Sequence, residues 1–322
     1  MGWRGVMRSA VAAARAAEKR SHQRRKTALK AQIMQEGSEA IGAWEDYLER
    51  LSSIHHDGCE KIDWLKLLNS APSPPAQGSE RSDAARARLQ NRKPSVFDFI
   101  RGGFSRVQSR LQAEVRSAED KEASDLGRLI KAYEVERAEW EADARIAQKL
   151  IDGDPEETRN VLMELKDLSE NGLLGKQVRF LISSATVHVV AEVHQADIVP
   201  TTRPKQLASG RISETKMPVS EFHERYQDYV ASVAFRLATD VLNVLPRDEV
   251  HVTCTTQMLD PQTGHVDAVP ILYVRFMRQT LSRLKLTSID PSDALANFIH
   301  TMNFKRTKGF GAIKPVLPIS QA

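Results

Sequence analysis

The run Val178-Arg179-Phe180-Leu181-Ile182 decides the fold class, because it is the first strand-like segment of the chain. It follows a break between Gly172 and Gly175. Before this break the sequence is highly charged and has helical spacing, and after it short apolar runs alternate with turns. The pattern predicts an α+β fold, in which an N-terminal helical and coiled-coil region precedes a C-terminal, mainly antiparallel sheet with packed helices.

The C-terminal part contains a readable order of elements. Two strands, 178–182 and 187–193, are predicted to form a hairpin, and residues 207–217 form a weaker third strand. The broad apolar face of residues 220–245 predicts a helix that organises the domain. Strands then follow at 250–258 and 271–276, and a last helix is predicted from 290 to 302.

The N-terminal part is predicted to be helical, with one interruption. Apolar residues at three- and four-residue steps indicate a helix over 33–54, and prolines 72, 74 and 75 indicate a linker. A coiled-coil seam is predicted at Leu126, Ile130, Tyr133, Trp140, Ala144, Ala147 and Ile151, with Arg137 as its polar member. The predicted domains are a basic arm with an amphipathic helix (1–70), a linker (71–95), charged coiled-coil helices (96–172) and an α+β domain (173–322).

Composition places the 322-residue chain among ordinary globular proteins. Hydrophobic residues make up 41% and charged residues 27%, and no apolar run approaches the roughly 20 residues that cross a bilayer. The two cysteines, Cys59 and Cys254, are far apart, which argues against a disulfide framework or a thiolate zinc site. A reducing cytoplasm is the expected location, and no resident cofactor is expected.

Positive charge is concentrated at the two ends of the chain. The first thirty residues carry nine Lys or Arg against the single acid Glu18, a composition that attracts phosphates. A second basic segment, 304–311, interleaves cations with Phe304 and Phe310, which either stack on bases or anchor the tail to the core. The candidate nucleic-acid-binding residues are Arg15, Lys19, Arg20, Arg24, Arg25, Lys26, Lys305, Arg306 and Lys308.

Asp197 followed by Glu214-Thr215-Lys216 suggests a different function. An acid after one strand and Glu-x-Lys on the next resembles the restriction-endonuclease-like, magnesium-dependent nucleases. The resemblance implies that Asp197 and Glu214 hold magnesium and that Lys216 assists the attacking water. Residues 211–216 are mostly polar, whereas that family usually places the motif in an apolar strand, so an exposed salt-bridged strand is the competing interpretation.

Histidines offer a weaker possibility. His188, His194, His251 and His265 lie in or beside predicted strands and are able to meet across a sheet, although no metal-ligand spacing links them. No Walker A loop, G-x-G-x-x-G fingerprint or G-x-S-x-G elbow is present, which argues against nucleotide hydrolysis and dinucleotide chemistry.

Three hypotheses follow, and a non-enzymatic function is favoured over an enzymatic one. The first is a non-enzymatic, oligomeric binding or scaffold protein that assembles through its coiled coil and contacts nucleic acid, or a protein partner, through basic arms. The alternative is a magnesium-dependent nuclease acting through Asp197, Glu214 and Lys216. The third is a peripheral membrane scaffold that uses the arm and the aromatic cluster at 97–104, and membrane contact is the least favoured partner.

Overall fold

The computed structural model describes residues 3–92, 103–167, 172–259 and 264–316. Within its helices it describes only the backbone of residues 3–25, 103–104 and 166–167. The chain divides into two compact units. One comprises residues 1–62 and 153–322, and the other comprises residues 63–152. The aromatic cluster predicted at 97–104 lies outside the described side chains.

The smaller unit is helical. Its elements in chain order are α2 (Trp64–Leu68), α3 (Glu80–Gln90) and α4 (Gly103–Asp152). The predicted seam from Leu126 to Ile151 therefore lies on one helix, α4. Both α2 and α3 pack along α4, and the indole Nε1 of Trp140 donates a hydrogen bond to the carbonyl of Leu67 at 2.8 Å.

Charged side chains join α3 to α4. Glu122 of α4 accepts hydrogen bonds from the backbone N–H groups of Arg81 (2.7 Å) and Ser82 (3.0 Å) in the first turn of α3. The hydrogen bonds from Ser82 lower the pKa of this carboxyl group. Arg81 also pairs with Asp125 at 2.9 Å. Glu122 thus supplies acceptors for N–H groups that a helix start leaves without partners.

The predicted coiled-coil seam of α4 faces other parts of its own unit at several positions. Ile130, Tyr133 and Arg137 line a cavity together with Pro74 and Pro75 of the linker. Trp140, a further residue of the seam, donates its indole N–H to the Leu67 carbonyl of the same unit. The helix is therefore confirmed, while its pairing with a second copy of the chain stays a prediction.

The larger unit contains the long N-terminal helix and the α+β fold. Its helices are α1 (Trp3–Ser52), α5 (Pro155–Asp167), α6 (Val219–Val244), α7 (Arg278–Leu281) and α8 (Pro291–Ala294). Its strands are β1 (Gln177–Ile182), β2 (Val187–Glu192), β3 (Thr202–Gln206), β4 (Ile212–Lys216), β5 (Glu249–Leu259), β6 (Val266–Met277), β7 (Ile299–Lys305) and β8 (Gly309–Gly311). The α+β class is confirmed.

Six strands form the main sheet in the order β1-β2-β5-β6-β7-β8. Only β2 and β5 are parallel, because α6 carries the chain across between them, and the other pairs are antiparallel. The predicted β1–β2 hairpin is confirmed. β3 and β4 form a separate two-stranded ribbon, so residues 207–217, predicted as one strand, contain the ribbon turn and β4.

The core lies between α6 and one face of the sheet. Phe235 of α6 contacts Phe276 of β6 at a ring-centroid distance of 5.0 Å and Phe298 at 5.6 Å. Because side chains alternate along a strand, Val250, Val252 and Cys254 share one face of β5, and Cys254 lies next to the Val230 carbonyl of α6. The odd-numbered residues from Glu249 to Thr253 therefore point to the opposite face.

The last helix predicted from the sequence is wrong beyond its first turn. Asp290 caps α8 by accepting hydrogen bonds from the N–H groups of Ser292 and Asp293, but α8 ends at Ala294 and residues 299–305 form β7. Burial in β7 alternates with a period of two, and Thr301 pairs with Tyr273. Pairing with the edge of β6 therefore overrides the helical start signal.

No helix in the described ranges is long and apolar enough to cross a membrane.

Candidate functional site

The C-terminal half of α1 is fixed to the α+β fold. The Tyr47 hydroxyl donates a hydrogen bond to the Ile198 carbonyl at 2.8 Å, and the Trp44 indole donates to the Thr202 carbonyl at 3.2 Å. Leu48 and Leu51 are buried. These contacts hold residues 44–51 against the α+β fold, and the same helix continues without a break into its N-terminal half.

The helix loses its contacts toward the basic arm. Every residue from 26 to 32 is exposed, which means that all sides of α1 face solvent over almost two turns. Lys26 and Lys30 lie in this stretch. Five of the predicted binding residues fall within the helical backbone of α1, and their side chains lie outside the described part. They are Arg15, Lys19, Arg20, Arg24 and Arg25.

The β3–β4 ribbon adds cations beside the exposed stretch. The amide of Gln206 donates a hydrogen bond to the Met34 carbonyl of α1 at 2.6 Å, so the ribbon turn lies one helical turn from Lys30. Lys205 and Arg211 flank that turn, and both are exposed. We call Lys26, Lys30, Lys205 and Arg211 the described basic patch. Sequence reasoning missed the two ribbon residues, because no local pattern indicates that the ribbon packs against α1.

Gly210 permits this close approach. Its φ of +88° lies in the left-handed region, and a Cβ atom there would be 2.8 Å from Cγ of Met34. Gly264 has a comparable φ of +71°, but no atom of the described residues lies within 4 Å of its added Cβ. The two glycines therefore share the backbone requirement and differ in the contact with α1.

We expect Gly210→Ala to reduce the free energy of unfolding by about 1 kcal/mol more than Gly264→Ala. The left-handed conformation costs each variant about 1 kcal/mol, and crowding against Met34 adds about 1 kcal/mol at Gly210 alone. Urea unfolding of both variants measures the difference. Equal losses would show that the ribbon turn does not depend on close packing with α1.

The second predicted basic segment lies at the β7–β8 turn. Lys305, Arg306 and Lys308 are exposed, and Arg306 pairs with Glu224 of α6 at 2.7 Å. Phe310 is buried against Tyr226, with ring centroids 5.6 Å apart. The hairpin therefore follows the anchoring interpretation of its aromatic residues: the ring of Phe310 packs into the core and the cations remain in solvent.

The residues of the nuclease hypothesis all lie at the surface. Asp197 is exposed in a short 3₁₀ helix (Ala196–Ile198). Glu214 and Lys216 are exposed on β4, outside the six-stranded sheet. No group of three or more His, Cys, Asp or Glu side chains in the described ranges is arranged to hold a metal ion. The geometry adds no support for this hypothesis, which stays a prediction.

Two of the four histidines considered from the sequence do meet. His188 of β2 and His251 of β5 are register partners, and their ring centroids lie 6.1 Å apart. His188 Nε2 is 2.7 Å from the Thr253 hydroxyl, and His251 Nδ1 is 2.7 Å from the Tyr273 hydroxyl. The other two histidines lie elsewhere: His194 follows the C-terminal end of β2, and His265 directly precedes β6.

Burial determines the chemistry of this histidine pair. His188 is only 2% exposed, and burial lowers its pKa to about 4. Burial also lowers the pKa of His251, while the Glu249 carboxylate acts in the opposite direction. The Nδ1 atom of His188 is buried and has no hydrogen-bond partner among the described residues. The imidazoles are therefore neutral near pH 7 and closed to a substrate, which makes the pair a structural feature.

A second buried network joins residues 54–59 to α6. His55 is 1% exposed, with Nδ1 2.8 Å from the Ser232 hydroxyl and Nε2 3.0 Å from the Leu286 carbonyl. A carbonyl only accepts, so Nε2 carries the proton and the Ser232 hydroxyl donates to Nδ1. The serine is completely buried. This Ser–His pair therefore fastens the segment to α6 and is not a nucleophile and base.

An ion pair completes that network. Asp240 accepts hydrogen bonds from Nε of Arg236 at 2.6 Å and from the backbone N–H of Cys59 at 2.8 Å. The guanidinium group also donates to the Ile54 carbonyl at 3.4 Å. Burial and the neighbouring Asp240 raise the pKa of the Cys59 thiol to about 12, so this cysteine is not an activated nucleophile.

The most accessible chemistry in the described ranges is thus the positive charge at the exposed part of α1. Comparison with protein-family models, with curated proteins and with solved structures found no match to this chain.

Proposed function

We propose that the protein is a non-enzymatic binding protein that contacts nucleic-acid phosphates through the N-terminal half of α1 and the adjoining ribbon turn. The observation that carries the proposal is the change along one continuous helix. Trp44 and Tyr47 fix α1 to the α+β fold, and the helix becomes exposed on all sides at residues 26–32. Most of the arm's cations lie immediately N-terminal to this exposed stretch.

Charge supports a phosphate ligand. The first thirty residues hold nine Lys or Arg and one acid, and the described basic patch extends this charge onto the ribbon. Phosphate contacts of this kind release counterions and make affinity steeply dependent on salt. The hairpin cations Lys305, Arg306 and Lys308 supply an additional surface in the proposal, although Arg306 already pairs with Glu224.

We expect labelled DNA and RNA to bind with a slope of log Kd against log salt of about 4 or more, which corresponds to about five phosphate contacts. Fluorescence anisotropy over a salt series measures this slope. Replacing the four members of the described basic patch with glutamine is expected to weaken binding at least tenfold. A matched control with glutamine at four exposed cations of α4, Arg110, Arg116, Lys121 and Lys131, removes the same charge and is expected to change Kd less than threefold.

The absence of binding at low salt, or equal weakening in the patch and control variants, would contradict the proposal. Magnesium in the same samples tests the nuclease alternative. Cleavage that disappears in a Glu214→Ala/Lys216→Ala variant would replace the binding proposal with the nuclease.

Self-association through α4 belongs to the same proposal, because several copies would multiply weak phosphate contacts. Ile130 of the seam is 40% exposed, which leaves apolar surface for a second copy. Light scattering over a concentration series tests it, and a monomer at all concentrations would remove the oligomer from the proposal without affecting the charge argument.

A further inference from the structure

Six cations of the basic arm recur with a period of eleven residues. They form three pairs whose members are four residues apart: Arg4 and Arg8, Arg15 and Lys19, Lys26 and Lys30. An α-helix turns by about 100° per residue, so eleven residues complete slightly more than three turns. All six positions therefore fall within a sector of about 80° on α1. We call them the basic stripe.

The stripe lies on a continuous helix. The backbone is helical from Trp3 to Ser52, and the sequence has neither glycine nor proline between residues 6 and 36. The last pair, Lys26 and Lys30, is exposed. With a rise of about 1.5 Å per residue, the centres of neighbouring pairs are about 16.5 Å apart and those of the first and last pairs about 33 Å apart.

This spacing matches a double helix. A B-form duplex completes one turn in about 34–36 Å, and each of its two strands crosses a line parallel to the axis once per turn. Phosphates therefore pass such a line every 17–18 Å on average, roughly the spacing of the pairs. Long Lys and Arg side chains accommodate the difference between the two grooves.

We propose that the basic stripe binds the phosphate backbone of a nucleic-acid duplex, with α1 lying along one face of the double helix. This inference rests on the proposed nucleic-acid binding and names the ligand more narrowly. A single strand lacks regularly spaced crossings. Trp3 is the one Phe, Tyr or Trp among the first thirty residues, and residues 4–30, which carry the stripe, contain none. The stripe therefore lacks the repeated aromatic platforms on which single-stranded bases stack.

Two variants that remove equal charge from the same stretch of helix test the stripe. The stripe variant is Arg15→Gln/Lys19→Gln/Lys26→Gln. The control is Arg20→Gln/Arg24→Gln/Arg25→Gln, at positions about 100° or more from the centre of the stripe. Glutamine keeps a helix propensity close to that of lysine and arginine, and circular dichroism verifies the helix content. Anisotropy is measured on full-length protein with DNA duplex, RNA duplex and single strands of equal length.

The stripe variant is expected to raise Kd for the DNA duplex at least tenfold and to lower the salt slope by about 2.7, the loss of three phosphate contacts. The control is expected to lower the slope by less than about 1. DNA duplex is expected to bind more tightly than RNA duplex or single strands, because the pair spacing matches the B-form turn.

Equal losses in the two variants, or single strands that bind as tightly as duplex, would overturn the stripe while leaving nucleic-acid binding intact. Failure of every nucleic acid to bind would overturn the proposed function itself. Binding to vesicles of anionic phospholipid is measured in the same way. If the stripe is needed for vesicle binding and no duplex binds, the stripe is reassigned to a membrane surface.

Discussion

Asp240→Ala is expected to reduce the free energy of unfolding by about 3–5 kcal/mol, because it leaves the Arg236 guanidinium without its carboxylate. Arg236 is 9% exposed, and its other hydrogen bond in this network, to the Ile54 carbonyl, is long at 3.4 Å. The substitution also removes the acceptor of the Cys59 N–H group. Chemical denaturation at pH 7, with the circular dichroism of the helices as signal, measures the loss.

Glu141→Ala is the matched control, since Glu141 pairs with Arg137 at the same four-residue spacing in α4 but both side chains are about half exposed. Exposed pairs contribute little, so this variant is expected to change stability by less than about 1 kcal/mol. A loss in Asp240→Ala no larger than in Glu141→Ala would show that the buried pair is dispensable.

Thiol labelling provides an independent local measurement in the same variant. Asp240 raises the pKa of Cys59 in addition to burial, so removing the carboxylate favours the thiolate and increases the labelling rate at pH 8. Cys254 is fully buried and serves as the internal reference. Faster labelling of Cys59 alone is therefore the expected result of the substitution, whereas faster labelling of both cysteines would indicate global unfolding.

The sequence was sufficient for elements whose signals are local. α4 and α6 have long apolar spacing, and the β1–β2 hairpin consists of adjacent strands, so all three could be predicted. Residues 299–305 could not, because their strand depends on pairing with β6, whereas the Asp-Pro-Ser-Asp start signal points to a helix. Local propensity decides an element only where no long-range partner competes for its backbone.

The residues of the candidate sites also differ in whether a local sequence signal or a long-range contact brings them together. The cations of the arm are visible in the sequence because they are contiguous, whereas Lys205 and Arg211 join them only through the contact of the ribbon with Met34. The Ser232–His55 contact joins residues 177 positions apart, and no spacing rule reaches that far. Whether a polar pair is catalytic or structural depends on burial, which appears only in the folded chain.

Stability is expected to fall by about 2 kcal/mol between pH 7 and pH 5 through His188 alone. Burial lowers its folded-state pKa to about 4, whereas an unfolded histidine titrates near 6.5. The native state therefore binds fewer protons than the unfolded state within this window, so stability is fully present above pH 6.5 and is lost as the pH falls toward 4. At pH 4 the loss reaches about 3 kcal/mol.

His188→Gln isolates this contribution, since an amide can still donate to the Thr253 hydroxyl but does not titrate. The difference in the free energy of unfolding between pH 7 and pH 5 is expected to be about 2 kcal/mol smaller in this variant than in the parent protein. Some acid sensitivity is expected to remain, because His55 and His251 also have lowered pKa values. Urea unfolding of both proteins at the two pH values measures it. Parallel stability curves would contradict the prediction, because they would mean that the pKa of His188 in the native sheet equals that of an unfolded histidine.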